Sequence, residues 1–159
     1  MVKILICGVL PPPNFGHSML YQRLMSSKFP DEFDVKFLNM KYWDYGTDKK
    51  VTWRKVAKMF KYYALFIWSL LTFRPKYVLY NISFYKMPWL KDALFCVTSI
   101  LFSRLVIHDH GRYVNEHPSK LKTWILRHAV ASIVLGHEVC KTYKGLMPTS
   151  KLFIVPGGV

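Results

Sequence analysis

The stretch RLVIHDHGRYVNEHPSKLKTWILRHAVASIVLG, Arg104 to Gly136, decides the fold. Arg104–His108 is apolar and rich in β-branched residues, and reads as a strand. Pro118–Ala129 reads as a helix with proline in its first turn. Ala131–Gly136 is a second strand. Both strands are apolar on both faces, as in a parallel sheet covered by helices on both sides.

The same alternation extends in both directions. Towards the N-terminus, strands are predicted at Val2–Val9, Asp34–Asn39 and Lys76–Ile82, and towards the C-terminus at Lys151–Pro156. Helices are predicted at Gly16–Lys28, Thr52–Thr72 and Pro88–Ser103, with a short one reaching Leu146. The expected fold is therefore α/β: a doubly wound, Rossmann-like parallel sheet in a single domain over residues 1–159. A chain of 159 residues can bury one sizeable core, and hardly two.

Composition narrows the function classes. Half of the residues, 52%, are hydrophobic, which excludes disorder. Lys and Arg number 23 against 9 Asp and Glu, a formal charge of +14. Such a field draws polyanions: nucleic acid, anionic lipid headgroups or phosphorylated substrates. No RNA-recognition motif or helix-turn-helix pattern is present, so no nucleic-acid partner is expected. The opening MVKILICGVLPPP imitates a signal peptide but has no small-residue cleavage site, and reads as a buried first strand. The longest apolar run, Tyr62–Phe73, is too short to span a bilayer. Cys7, Cys96 and Cys140 are widely spaced in apolar contexts and read as reduced, buried thiols.

In parallel sheets, ligands bind beyond the carboxyl ends of the strands. Two loops stand out there. After the first strand comes CGVLPPPNFGHSMLYQRL, Cys7–Leu24. It is neither G-x-G-x-x-G nor a P-loop. Its prolines hold the chain extended, and Gly16 enters the helix whose first amides can bind an anion. A rigid strand-to-helix connection explains the same residues. After the fourth strand comes HDHG, His108–Gly111. Extended backbone points His108 and His110 to one side and Asp109 to the other. A metal site with His117, a strand-end anchor, or a histidine presented to substrate with its tautomer fixed by Asp109 or a backbone carbonyl all remain open.

PPPNFGHSMLYQRL after a first strand, HDHG after a fourth, and SIVLGHEVCKTY followed by KLFIVPGGV resemble, in this order, the N-terminal domain of family-4 (group 1) glycosyltransferases of the GT-B fold. The resemblance covers the whole chain. VPGGV, Val155–Val159, is similar to the family's Val-Pro-Asn-Gly-Val segment, with Gly157 in place of Asn. The resemblance implies a retaining, metal-independent hexosyl transfer from a nucleotide-sugar co-substrate, with no other cofactor. By position, Asn14, Phe15, Gly16 and His17 form the loop lent to the donor phosphates. His110 matches the histidine beside the reacting sugar, where it would hydrogen-bond the donor and stabilise developing charge. Gly111 and Arg112 continue that loop. Gly136 and His137 lie where the family approaches the nucleotide. The family's Glu-x7-Glu motif, with its phosphate-binding Arg and Lys, belongs to a C-terminal donor-binding domain that these residues do not include. The resemblance thus implies an acceptor-side domain, inactive alone, either a piece of a longer chain or a subunit that needs a partner.

Two further segments bear on the acceptor. In Trp53–Leu71, Arg54, Lys58 and Lys61 share one helical face, which continues into Leu65 and Trp68. Val56, Phe60, Tyr63, Ile67 and Leu70 form the expected core face. Cationic and apolar residues on one outer face suit a bilayer interface, so the expected place is peripheral, on the cytosolic face of a membrane, with a lipid-linked or saccharide acceptor. A face covered by another part of the protein is the other explanation. Asn81 and Ser83, with Tyr85 and Lys86, follow the third strand as an acceptor-recognition edge. Met87, Trp89 and Leu90 suit either a core or a lipid contact. The class that remains beside the enzyme is a non-catalytic, membrane-associated binding or scaffold subunit.

Overall fold

The computed structural model describes residues 1–12, 14, 16–41, 52–84, 86–109 and 119–155. The fold is α/β, with a six-stranded, all-parallel sheet flanked by helices, as the alternation predicts. The chain divides into two compact units, residues 1–75 and 76–159.

The first unit holds β1 (Val2–Gly8), α1 (Gly16–Ser26), β2 (Phe33–Asn39) and α2 (Trp53–Phe73). β1 and β2 pair in parallel from Val2↔Phe33 to Gly8↔Asn39. Leu5, Ile6 and Cys7 of β1 are buried with Tyr21 of α1 and with Phe66 and Leu70 of α2. Helix α1 ends two residues before the predicted Lys28. The Ser26 and Ser27 hydroxyls there donate to carbonyls of the last turn, Gln22, Arg23 and Leu24. Helix α2 starts where Thr52 caps it, its hydroxyl accepting from the Lys55 N–H. It stops at Arg74, which takes the left-handed conformation (φ 50°) and donates its N–H to the Leu70 carbonyl.

The second unit holds β3 (Tyr77–Ile82), α3 (Lys86–Phe102), β4 (Arg104–Asp109), α4 (Lys120–His128), β5 (Ala131–Val134), α5 (His137–Thr142) and β6 (Leu152–Ile154). Its strands run parallel in the order β3-β4-β5-β6. Helix α3 begins at Lys86, before the predicted Pro88, because a first-turn proline lacks only an N–H that would be unpaired anyway. Ser119 caps α4, its hydroxyl accepting from the Lys122 N–H at 3.1 Å, while the predicted start, Pro118, lies outside the described residues. β5 stops short of Gly136, which is already the cap residue of α5.

Candidate functional site

The register of the second unit brings three strand ends into one row. Ile82 pairs with Asp109, and Asp109 with Val134. Asn81 and Ser83, Asp109, and Gly136 with His137 therefore stand at one carboxyl edge, where parallel sheets receive ligands. Asn81 and Ser83 are half-buried, and His137 is exposed. Gly136 is fully extended (φ −179°) and caps α5 without a side-chain hydrogen bond.

Beneath this edge lies a buried polar layer that the sequence reading did not single out. The Asp92 carboxylate on α3 accepts from the Tyr80 hydroxyl and from the Ser83 N–H, each at 2.8 Å. Lys91 Nζ lies 2.8 Å from the same carboxylate. Burial pushes the Asp92 carboxyl above its ordinary range, with Lys91, the Ser83 N–H and the Tyr80 hydroxyl pulling the other way. Asp92 thus holds the start of the loop that carries Ser83. One strand further, the Tyr143 hydroxyl donates to Asp109 at 2.8 Å. Burial, and the Asp109 carboxylate beside it, push the Tyr143 phenol well above its ordinary value, so it stays a donor.

Lys122 completes the layer. It is buried, and its ammonium lies 5.4 Å from the centre of the Phe84 ring and 5.6 Å from that of Trp89. Phe84 stacks on Trp89 and meets Tyr143 edge-on. A signal for Lys122 was present in the sequence. It falls on the stripe of Ile125, Leu126 and Ala129, all buried, at the i+3, i+4 and i+7 spacing of a core face.

His108 and Asp109 are both within β4, whose extended backbone sends adjacent side chains to opposite faces. Both are buried, because both faces of β4 are covered, and Asp109 is engaged by Tyr143. His110, Gly111 and Arg112 lie outside the described residues, as does Phe15. Among the described residues, no group of His, Cys, Asp and Glu could hold a metal ion.

The loop expected at the donor phosphates belongs to the first unit. Asn14 and Gly16 are exposed, and His17 is the second residue of α1. The loop after β1 is tied to the end of β2. The Leu10 N–H donates to Asn39 Oδ1 at 3.2 Å, and Lys41 Nζ to the Pro11 carbonyl at 3.3 Å. The Pro11–Pro12 peptide is cis, and Pro13 lies outside the described residues. A Cβ on Gly16 would meet nothing within 4 Å, so no packing demands glycine there. The packing glycine is Gly8, where a Cβ would come 2.7 Å from the ring of the buried Tyr21.

On α2, Arg54, Lys61, Leu65 and Trp68 are exposed as expected, while Lys58 is half-buried on the flank. Leu70 is buried, and Val56, Tyr63 and Ile67 are half-buried. The core assignment of Phe60 is overturned, because it is 60% exposed. The buried side is set by Phe66, Ser69 and Leu70, and Phe60 lies about 120° round the helix from Phe66. Trp53 and Leu71 join Phe60 on the outward face. Among the described residues, no helix is long and apolar enough to cross a membrane.

No protein-family profile matches the chain, and a search of curated proteins finds no match. The likeness to family-4 glycosyltransferases therefore rests on the residues quoted above.

Proposed function

We propose that the chain is the acceptor-side domain of a retaining, metal-independent glycosyltransferase. It would transfer a hexose from a nucleotide-sugar to a lipid-linked or saccharide acceptor at the cytosolic surface of an anionic membrane. The observation that carries this reading is the single row formed by the ends of β3, β4 and β5. It gathers Asn81, Ser83, Asp109, Gly136 and His137 at the edge that receives ligands in parallel sheets.

In this reading Asn81 and Ser83 hold acceptor hydroxyls, with Asp92 fixing the Ser83 backbone. Gly136 and His137 approach the nucleotide, and the loop of Asn14, Phe15, Gly16 and His17 meets the donor phosphates. His110, next in the chain after Asp109, hydrogen-bonds the donor sugar. Hydrogen bonds aimed at developing charge are worth several kcal/mol in a water-excluded site. A donor-binding domain carrying Glu-x7-Glu is required for turnover.

The test uses the enzyme together with that donor-binding domain. His110→Ala is expected to lower kcat by about 100-fold or more with Tm unchanged. Unchanged turnover removes His110 from the site. The 159-residue chain alone should show no transfer, and turnover at ordinary enzyme rates would overturn the half-site arrangement. A second reading, a non-catalytic membrane-associated scaffold subunit, is favoured by the outward face of α2. Purification in a stable complex with a Glu-x7-Glu polypeptide, in which His110→Ala leaves turnover intact, would decide for it.

A further inference from the structure

Helix α3 turns an apolar stripe outward. Leu90, Leu94, Val97 and Leu101 follow at i, i+4, i+7 and i+11, the spacing of one helical face. Leu90 is 67% and Leu101 72% exposed; Leu94 is also exposed and Val97 half-buried. Phe102 extends the exposed surface at the helix end. The inward side carries Asp92, Ala93, Phe95, Cys96 and Ser99, all buried. Lys91 is drawn to Asp92, so no described charge projects from the stripe.

The surroundings of this stripe are cationic. Helix α4 packs against α3 and exposes Lys120, Leu121, Trp124 and Arg127. Arg104 is exposed just beyond the end of α3. Residues 76–159 carry 11 Lys and Arg against 4 Asp and Glu. Among the described residues of this unit, the one exposed acid, Glu138, is held by Lys141 at 2.7 Å.

We propose that the outward face of α3, with the cations of α4 and Arg104, docks into the headgroup–acyl boundary of an anionic bilayer. Leucines and aromatics beside Lys and Arg, with no free acid among the described residues of this unit, complement such a surface. A second copy of this chain would bring like charges together at the border of the stripe. The helix has 17 residues, about 25 Å at 1.5 Å per residue, and so lies in the interface plane and does not cross it. The inference rests on the membrane placement proposed above and adds a second contact, distinct from α2.

The experiment is flotation of the 159-residue chain with phosphatidylcholine vesicles, with and without phosphatidylglycerol. Three proteins are compared: wild type, Leu90→Ser with Leu101→Ser, and Leu65→Ser with Trp68→Ser. All four positions are exposed, and an unchanged Tm confirms that each variant is folded. Wild type should float with the anionic vesicles, and the α3 variant should lose about tenfold or more in partitioning. An α3 variant that floats like wild type while the α2 variant does not overturns the α3 contact and leaves the membrane placement standing. No flotation of wild type overturns both. Equal flotation with phosphatidylcholine alone overturns the role of the cations. A wild-type dimer that the α3 substitutions convert to a monomer, with vesicle binding unchanged, makes the stripe a self-interface and overturns the proposal.

Discussion

The two compact units keep their interiors in different ways. The first buries Ser18 and Ser69 as its polar residues among the described ones, in a core of Leu5, Ile6, Cys7, Tyr21 and Phe66. The second buries Asp92, Thr98, Ser99, His108, Asp109, Lys122 and Ser132. The interior of a unit of the first kind is held mainly by apolar packing. Buried charge is costly unless it is paired, so a unit of the second kind depends on an acceptor or donor at a fixed place. That investment lies directly under the strand ends at which the site is proposed. Rigidity under a ligand edge is a more specific sign of function than the fold itself.

Substitutions in the two interiors test this contrast. The largest effect is expected for Asp92→Ala, which removes the acceptor shared by Tyr80, Ser83 and Lys91. Urea denaturation should show a loss of about 3 kcal/mol. A loss under 1 kcal/mol would mean that the second unit does not depend on its polar layer. Gly8→Ala comes next, at about 2 kcal/mol, because the new methyl meets the Tyr21 ring. Gly8→Ala combined with Tyr21→Leu should recover part of that loss, and no recovery would dismiss the contact. Tyr143→Phe should cost about 1.5 kcal/mol by removing the donor to Asp109. Gly16→Ala should change stability by less than about 0.5 kcal/mol. In the partnered enzyme, a fall in kcat/KM on that substitution without a change in stability would support the proposed contact to the donor phosphates, and an unchanged kcat/KM would count against it.

The strand and helix order was legible because strands buried on both faces appear as unbroken apolar runs, such as Arg104–His108. The Rossmann-like class follows from that order. Less was legible where a pattern shows a periodicity but not which side is covered. Phe60 belongs by spacing to an apolar stripe, yet the buried side of α2 is chosen by Phe66 and Leu70. Lys122 reads as a surface residue by type, although its spacing is that of the core. Gly16 drew attention through its place at a helix start, whereas the close approach is at Gly8, where a large ring crosses the strand. Such contacts join residues distant in sequence, which local pattern does not record. Of the candidate site, Asn81, Ser83, Gly136 and His137 stand at one carboxyl edge, which the strand register sets and the sequence does not state. Their support, Asp92 and Tyr143, emerged from geometry.

The cysteines are unequally buried, Cys140 departing from the expectation that all three are buried, and this makes the chain addressable by chemistry. Cys7 and Cys96 are buried, and burial holds the Cys7 thiol in its unreactive protonated form. Cys140 is half-buried on α5, one turn beyond His137. A maleimide dye should therefore attach once per native chain, and mass spectrometry of the digested product should locate it at Cys140. Without any change to the sequence, the label would sit beside the proposed nucleotide approach, where its emission can report ligand arrival in real time.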